Sequence, residues 1–133
     1  MISKKVAEDQ LEIFFESYEI EVESMPDVVR NVIETCQNKL ITAIIKGRLE
    51  ITKEDGNLRI KQNLHEHSGD ATEIIYGKLN GSAKASMKDN MSNNEKLYAL
   101  MGSLSGLTVN AIKKLEGLDH STMENLGLVF LQI

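Results

Sequence analysis

Potential metal ligands cluster at one place in this chain, His65-Glu66-His67, with Asp70 three residues later. In an extended segment this spacing puts both imidazoles on one side, as some metal sites require. Only Glu73 lies close enough in the sequence to add another strong ligand, and structural zinc sites usually offer more than that. We therefore interpret the cluster as a solvated turn between strands and expect no metal site.

Residue patterns for nucleophilic catalysis and for phosphate binding are absent. The sequence has no Gly-x-Ser-x-Gly elbow for a catalytic serine. The run Gly77-Lys78-Leu79-Asn80-Gly81-Ser82 lacks the Gly-Lys-Ser/Thr order of a phosphate loop. Cys36 occupies an apolar position of a helical pattern, which predicts a buried and inert thiol. The sequence thus predicts no catalytic residues, no enzyme activity and no cofactor.

Composition restricts the class of protein further. The 133 residues suffice for one domain with a core, but only 5% are aromatic and none is Trp, so Leu, Ile, Val and Met must fill that core. The formal net charge is −5 and no window concentrates Lys and Arg, which argues against nucleic acid as the main partner. No run approaches the roughly 18 apolar residues of a membrane span. A single cysteine and an N-terminus unlike a signal peptide favour a cytoplasmic protein.

Apolar periodicity predicts two helices in the first third of the chain. A helix begins near Glu8, and the alternation from Tyr18 to Val22 predicts a short strand after it. A longer helix follows, with Ser24 as its candidate cap and Pro26 in its first turn, and Gly47 is placed to end it. Its apolar residues recur at steps of three and four: Val28, Val29, Val32, Ile33, Cys36, Leu40, Ile41, Ile44 and Ile45.

A β-hairpin is predicted next, because apolar and polar residues alternate on both sides of Asp55-Gly56. Its buried face should carry Leu49, Ile51, Leu58 and Ile60. The apolar residues between Ala71 and Leu79 predict a third strand beside the hairpin, since two strands alone would be marginal. Residues 80–93 are rich in Gly, Ser, Lys and Asn and favour a flexible linker.

Three short helices are predicted in residues 94–133. Ser92 and Glu95 form a capping-box pattern for the first of these helices, which Gly106 should end. Thr108 can cap the second helix, and Asp119 or Ser121 the third. The predicted fold is therefore α+β, with a long helix packed on a small antiparallel sheet and a compact three-helix C-terminal segment. The expected division is 1–79, a linker at 80–93, and 94–133, within one compact protein.

The C-terminal pattern resembles that of the Mu-like phage tail assembly chaperones. In that family a helix ends in a Leu-Thr/Ser-Gly-Leu turn, a second helix ends in a Leu-x-x-x-Asp step, and the chain closes on an aromatic-Leu pair. Leu104-Ser105-Gly106-Leu107, Leu115 to Asp119, and Phe130-Leu131 occupy these places in order. Upstream the chain departs from the family, because Tyr76 to Ala83 lacks its Leu-Arg-Arg-Pro-Thr-like run.

The resemblance implies a chaperone that binds the hydrophobic, helix-prone tape-measure protein and keeps it soluble during the assembly of a phage tail or related particle. It implies self-association and no catalysis, in the cytoplasm of a bacterial or infected cell. The candidate partner-binding residues are the apolar residues of the C-terminal helices: Leu97, Leu100, Leu104, Leu107, Leu115, Leu118 and Phe130. Two alternatives remain open, a self-assembling structural subunit of such a particle and a small helix-turn-helix regulator that binds DNA.

Overall fold

The computed structural model describes residues 2–64 and 72–133, so the His65-Glu66-His67 cluster and Asp70 lie outside the described residues. Mixed helix and sheet confirm the α+β class. The elements in chain order are α1 (Lys4–Ser17), α2 (Asp27–Ile45), β1 (Leu49–Glu54), β2 (Asn57–Asn63), β3 (Glu73–Tyr76), α3 (Gly81–Ala85), α4 (Asn93–Ser105), α5 (Val109–Lys113) and α6 (Gly117–Phe130).

The three strands form an antiparallel sheet in the order β1-β2-β3, as the sequence predicts. Asp55 and Gly56 both have positive φ, 52° and 80°, which is the geometry of a two-residue type I′ turn. The turn fixes the register so that Ile51 pairs with Ile60 on the buried face. Leu58, the member of the predicted face nearest the turn, is only half-buried. On the outer edge of β1, the Ile51 N–H donates to Gln10 Oε1 of α1 at 2.9 Å.

Helix α1 ends without a strand after it. The Ile20 N–H donates to the Phe15 carbonyl at 2.8 Å, and Glu19 has a φ of 54°. This is a Schellman motif with a glutamate in the left-handed position that glycine usually fills. The strand expected from Tyr18 to Val22 is therefore wrong, and a single 3₁₀ turn, Val22–Ser24, follows instead.

Helix α2 begins later than the sequence suggests and ends where it suggests. Pro26 is the N-cap, and the Ser24 hydroxyl donates to Glu21 Oε2 at 3.3 Å, so the expected Ser24 cap is wrong. At the other end Gly47 has a φ of 81°, and the Arg48 N–H donates to the Ala43 carbonyl at 2.9 Å. The helix contacts the sheet through β1, but its most extensive contact is with α6.

A short helix lies within the range expected to be a linker. Asn80 caps α3, accepting from the Ala83 N–H at 2.9 Å, and Ala83 is buried. Half-buried Met87 also packs against the core. Residues 80–93 thus contribute to the packing of the protein.

The three predicted C-terminal helices are α4, α5 and α6. Ser92 and Glu95 form the complete capping box, Gly106 ends α4 in the left-handed conformation, and Thr108 caps α5. Helix α6 begins at Gly117 after Glu116, which makes no side-chain cap, so the expected caps at Asp119 or Ser121 are wrong. A Cβ on Gly127 of α6 would lie 2.2 Å from Leu97 Cδ1, which shows how closely α4 and α6 approach.

Both halves of the chain contribute to one cluster of buried apolar side chains in the described residues. Phe14 of α1 lies with its ring centroid 5.2 Å from that of Phe130 in α6, and Tyr18 lies 5.7 Å from Phe130. The long helix α2 joins the sheet side to the C-terminal helices. No helix within 2–64 or 72–133 combines the length and apolarity needed to cross a bilayer.

Candidate functional site

A cleft of about 460 Å³ opens where α2 faces α6. We call it the α2–α6 cleft. It is lined by Asn38, Lys39 and Thr42 of α2, by Arg48 just before β1, and by Leu118, Ser121, Thr122 and Asn125 of α6. The exposed polar positions of α2 recur at helical spacing opposite its buried face, and the first turns of α6 supply the facing wall.

Two cations line this cleft, and none of its described lining residues is acidic. Arg48 is held in place by its backbone, because its carbonyl accepts from the Asn63 N–H at 2.8 Å on the sheet side. Its Nε atom is out of contact with solvent and has no hydrogen-bond acceptor within the described residues. A buried unsatisfied donor costs about 1–3 kcal/mol, so the Arg48 side chain would be stabilised by an acceptor that reaches this atom.

Both threonine hydroxyls of the cleft donate inside their own helices, and the Ser121 hydroxyl accepts from Asn125 Nδ2 at 3.4 Å. Thr42 Oγ1 donates to the Asn38 carbonyl at 3.1 Å, and Thr122 Oγ1 donates to the Leu118 carbonyl at 2.8 Å. Asn125 donates to the Ser121 carbonyl at 2.7 Å. The strongest donors left to a ligand are therefore the Arg48 guanidinium and the Lys39 ammonium. Both groups favour a carboxylate or another anion.

The seven apolar residues predicted to bind a partner do not form one surface. Leu118 is 51% exposed at the α2–α6 cleft, and Leu107 is half-buried beyond the end of α4. The other five lie in the core, where their packing leaves them out of reach of another chain: Leu97, Leu100, Leu104, Leu115 and Phe130. Their helical spacing predicts apolar contact correctly, but most of that contact is internal.

A chain of buried polar groups joins the sheet to α6. The Tyr76 hydroxyl donates to Gln62 Oε1 at 2.7 Å, and Gln62 Nε2 donates to the Asp119 carbonyl at 2.7 Å. Burial raises the pKa of Tyr76 far above its usual range, so the phenol stays protonated and serves as a donor. This chain positions α6 against β2 and presents no group for acid–base chemistry near neutral pH.

His120 is the histidine whose surroundings the structure describes. Its Nε2 lies 3.1 Å from Tyr98 Oη, and the two rings meet edge to face. Within residues 2–64 and 72–133, no three His, Cys, Asp or Glu side chains are grouped so that they could hold a metal ion. Cys36 is buried as predicted, and burial raises the pKa of its thiol.

Leu118 is the predicted partner-binding residue that lines the cleft, whereas the polar residues of its walls were not predicted. Arg48, Lys39 and Ser121 carry no motif, and they come together only because α2 packs on α6. The one available signal is the presence of Lys39 between apolar residues of α2 and of Arg48 just after that helix, in an acidic chain.

No protein-family model, curated protein or solved structure matches this chain. We therefore infer its function from its own residues.

Proposed function

We propose that this protein is a non-catalytic tail assembly chaperone of a phage or phage-tail-like particle, which binds the tape-measure protein while the tail is built. The observation that carries the proposal is the order of turns in the C-terminal segment. The Leu104 to Leu107 turn, the Leu115 to Asp119 step and the Phe130-Leu131 pair follow the pattern of the Mu-like family. Such a chaperone would act in the cytoplasm of a bacterial or infected cell, where the tail assembles.

Exposed apolar side chains on α2 and α6 support binding to a hydrophobic helix. Leu118 is 51% exposed, and on α2 Val28 and Val32 are 77% and 38% exposed. Val28 and Val32 are one turn apart, so they lie on the same stripe of the helix. Large apolar side chains left in water at such spacing are typical of surfaces that receive the apolar face of a partner helix.

The proposed activity needs no cofactor and no reaction. A tape-measure protein presents many helical segments, and several weak contacts along one ligand give strong overall binding. Self-association of the chaperone would bring such contacts together.

The test is co-expression with the tape-measure-like protein encoded nearest this gene, followed by affinity purification of the soluble complex. We expect co-purification with the unmodified chain. Leu118→Asp should reduce the amount bound at least about tenfold, because it removes the apolar contact of one leucine and adds a charge. Val109→Asp is the matched control, since Val109 is 40% exposed on α5, away from the cleft, and should bind normally.

Leu104 and Leu107 are poorer targets for this test. Leu104 is buried and Leu107 is half-buried against the core, so a charge at either position would disturb folding and mimic lost binding.

A tape-measure-like protein that stays insoluble when it is expressed with the unmodified chain would refute the chaperone proposal. Abundant copies of this protein in finished particles, measured by mass spectrometry, would instead favour the structural-subunit alternative, because a chaperone should leave the particle.

A further inference from the structure

The α2–α6 cleft presents positive charge on a protein whose net charge is −5. Arg48 and Lys39 make no ion pair there with the described residues, although ion pairs occur elsewhere, as between Lys61 and Glu50 at 3.0 Å. The cleft is therefore complementary to a negatively charged segment rather than to a purely apolar one.

A negatively charged segment lies between the end of α1 and the start of α2. Residues 16–23 contain no Lys or Arg, and their four glutamates are exposed: Glu16, Glu19, Glu21 and Glu23. We call these four residues the acidic strip. None of the four pairs with a cation of the described chain, and Glu21 only accepts from the Ser24 hydroxyl. Ile20 and Val22, both half-buried, alternate with the glutamates.

The two surfaces cannot meet within one molecule. The acidic strip precedes the first residue of α2, Asp27, whereas the cleft residues of α2 are Asn38, Lys39 and Thr42. At 1.5 Å per residue, the helix separates them by roughly 20 Å. A surface at one end of a rod and its complement near the other end favour head-to-tail contacts between copies, which repeat along a chain or close into a ring.

We propose that the α2–α6 cleft of one copy receives the acidic strip of a second copy, with strip glutamates placed against Arg48 and Lys39. This contact would supply the repeated surface that a chaperone uses along an extended ligand, but it requires no tape-measure protein and is tested without one.

The first measurement is sedimentation velocity of the purified full chain over a range of concentrations, at low salt and at about 0.5 M salt. We expect concentration-dependent association at low salt that weakens at high salt, because the contact joins exposed opposite charges. A chain that stays monomeric at every concentration at low salt would overturn the proposal.

Two charge-reversal variants then locate the contact. The cleft variant carries Lys39→Glu and Arg48→Glu, and the strip variant carries Glu19→Lys and Glu23→Lys. Each alone should associate at least about tenfold more weakly, because the cleft variant brings like charges together and the strip variant leaves a strip with no net charge. An equimolar mixture should associate again, since the reversed cleft of one variant meets the introduced lysines of the other, and the unchanged cleft meets an unchanged acidic strip.

Matched controls separate this contact from a general effect of net charge. Lys113→Glu with Lys114→Glu changes the charge as the cleft variant does, and Glu8→Lys with Glu12→Lys as the strip variant does; all four side chains are exposed. These controls should associate like the unmodified chain. Lys39→Glu alone is the fallback if replacing Arg48 disturbs folding, judged by circular dichroism, and should weaken association to a smaller extent.

Failure of the mixture to associate would overturn the inference even if each variant is monomeric. Normal self-association of both variants would do the same. A third outcome is a monomeric unmodified chain whose cleft variant loses tape-measure binding while the strip variant keeps it. The occupant of the cleft would then be an acidic segment of the tape-measure protein. The second-copy proposal would fail and the chaperone proposal would stand.

Discussion

Gln62 is the side chain on which the polar contact between the sheet and α6 depends. It is fully buried, and its amide serves two partners at 2.7 Å, the Tyr76 hydroxyl and the Asp119 carbonyl. Alternation with Leu58 and Ile60 places Gln62 on the buried face of β2, but the sequence does not show which two groups its amide binds there. Leu49 pairs with it across the sheet, on the buried side.

Replacing Gln62 by Leu should lower the free energy of unfolding by about 2–4 kcal/mol, because a buried hydroxyl and a buried carbonyl lose their partner. Adding Tyr76→Phe should cost less in that variant than in the unmodified chain, since it removes the orphaned hydroxyl. Urea unfolding of the four proteins in this cycle measures the coupling. Gln132→Leu, at an exposed position, is the control. Strictly additive losses would contradict the hydrogen-bond chain.

The C-terminus of α1 stores strain at a single residue. Glu19 adopts the left-handed conformation, which costs a residue with a side chain about 1–2 kcal/mol relative to right-handed backbone. Glycine adopts it freely but loses more entropy on folding. The hydrogen bond from Ile20 to Phe15 holds the motif in place.

Glu19→Gly should therefore raise the free energy of unfolding by about 0.5–1 kcal/mol. Glu21→Gly is the comparison, because Glu21 has a φ of −107°, so glycine there adds chain entropy and removes only an exposed hydrogen bond from Ser24. It should lower stability by a similar amount. Equal effects of the two substitutions in urea unfolding would show that the left-handed conformation at Glu19 carries no cost.

Helices and turns whose ends carry a typical glycine or capping residue could be predicted, and those without such a residue could not. Gly47, Gly106 and the Asp55-Gly56 turn are residues that readily adopt positive φ, so the ends of α2 and α4 and the turn of the hairpin are predictable. Glu19 occupies the left-handed position that glycine usually fills, and the alternation after it predicts a strand that does not form. Glu116 precedes α6 without a capping side chain, so the sequence predicts too late a start for that helix.

The cleft escaped prediction for a different reason. Periodicity tells which face of a helix is exposed, but it does not tell which two helices pack together. Arg48 and Ser121 are far apart in sequence and lie on elements of different halves of the chain. Leucine spacing has the converse weakness, since Leu104 and Leu118 look alike in sequence, although one is buried and the other exposed.

The molecule as a whole depends on contacts between its two halves. Phe14 of α1 and Tyr18 at the end of that helix pack on Phe130 of α6, and α2 makes its main contact with α6. The division at residues 80–93 stays a prediction, but buried Ala83 shows that this range also takes part in packing.

We expect a single cooperative unfolding transition, because neither half can bury its apolar surface without the other. Near-ultraviolet circular dichroism reports on tyrosines in both halves, Tyr18, Tyr76 and Tyr98, while the far-ultraviolet signal reports on helices. The two urea transitions should coincide for the full chain. Phe130→Ala should lower the free energy of unfolding by about 3–5 kcal/mol and move both transitions together to lower urea concentration. Separate midpoints would instead indicate that residues 1–79 and 94–133 unfold as independent units.

The pairing of α1 with α6 also affects how the chain can fold as it is synthesised. At about 5–20 residues per second, the ribosome needs several seconds or more after completing Phe14 before it adds Phe130. During that time the rings of Phe14 and Tyr18 lack their partner Phe130, although α1 can already pack on α2 and the hairpin. A nascent chain stalled before α6 would leave these rings partly uncovered, so slow translation of the second half would prolong the exposure of apolar surface.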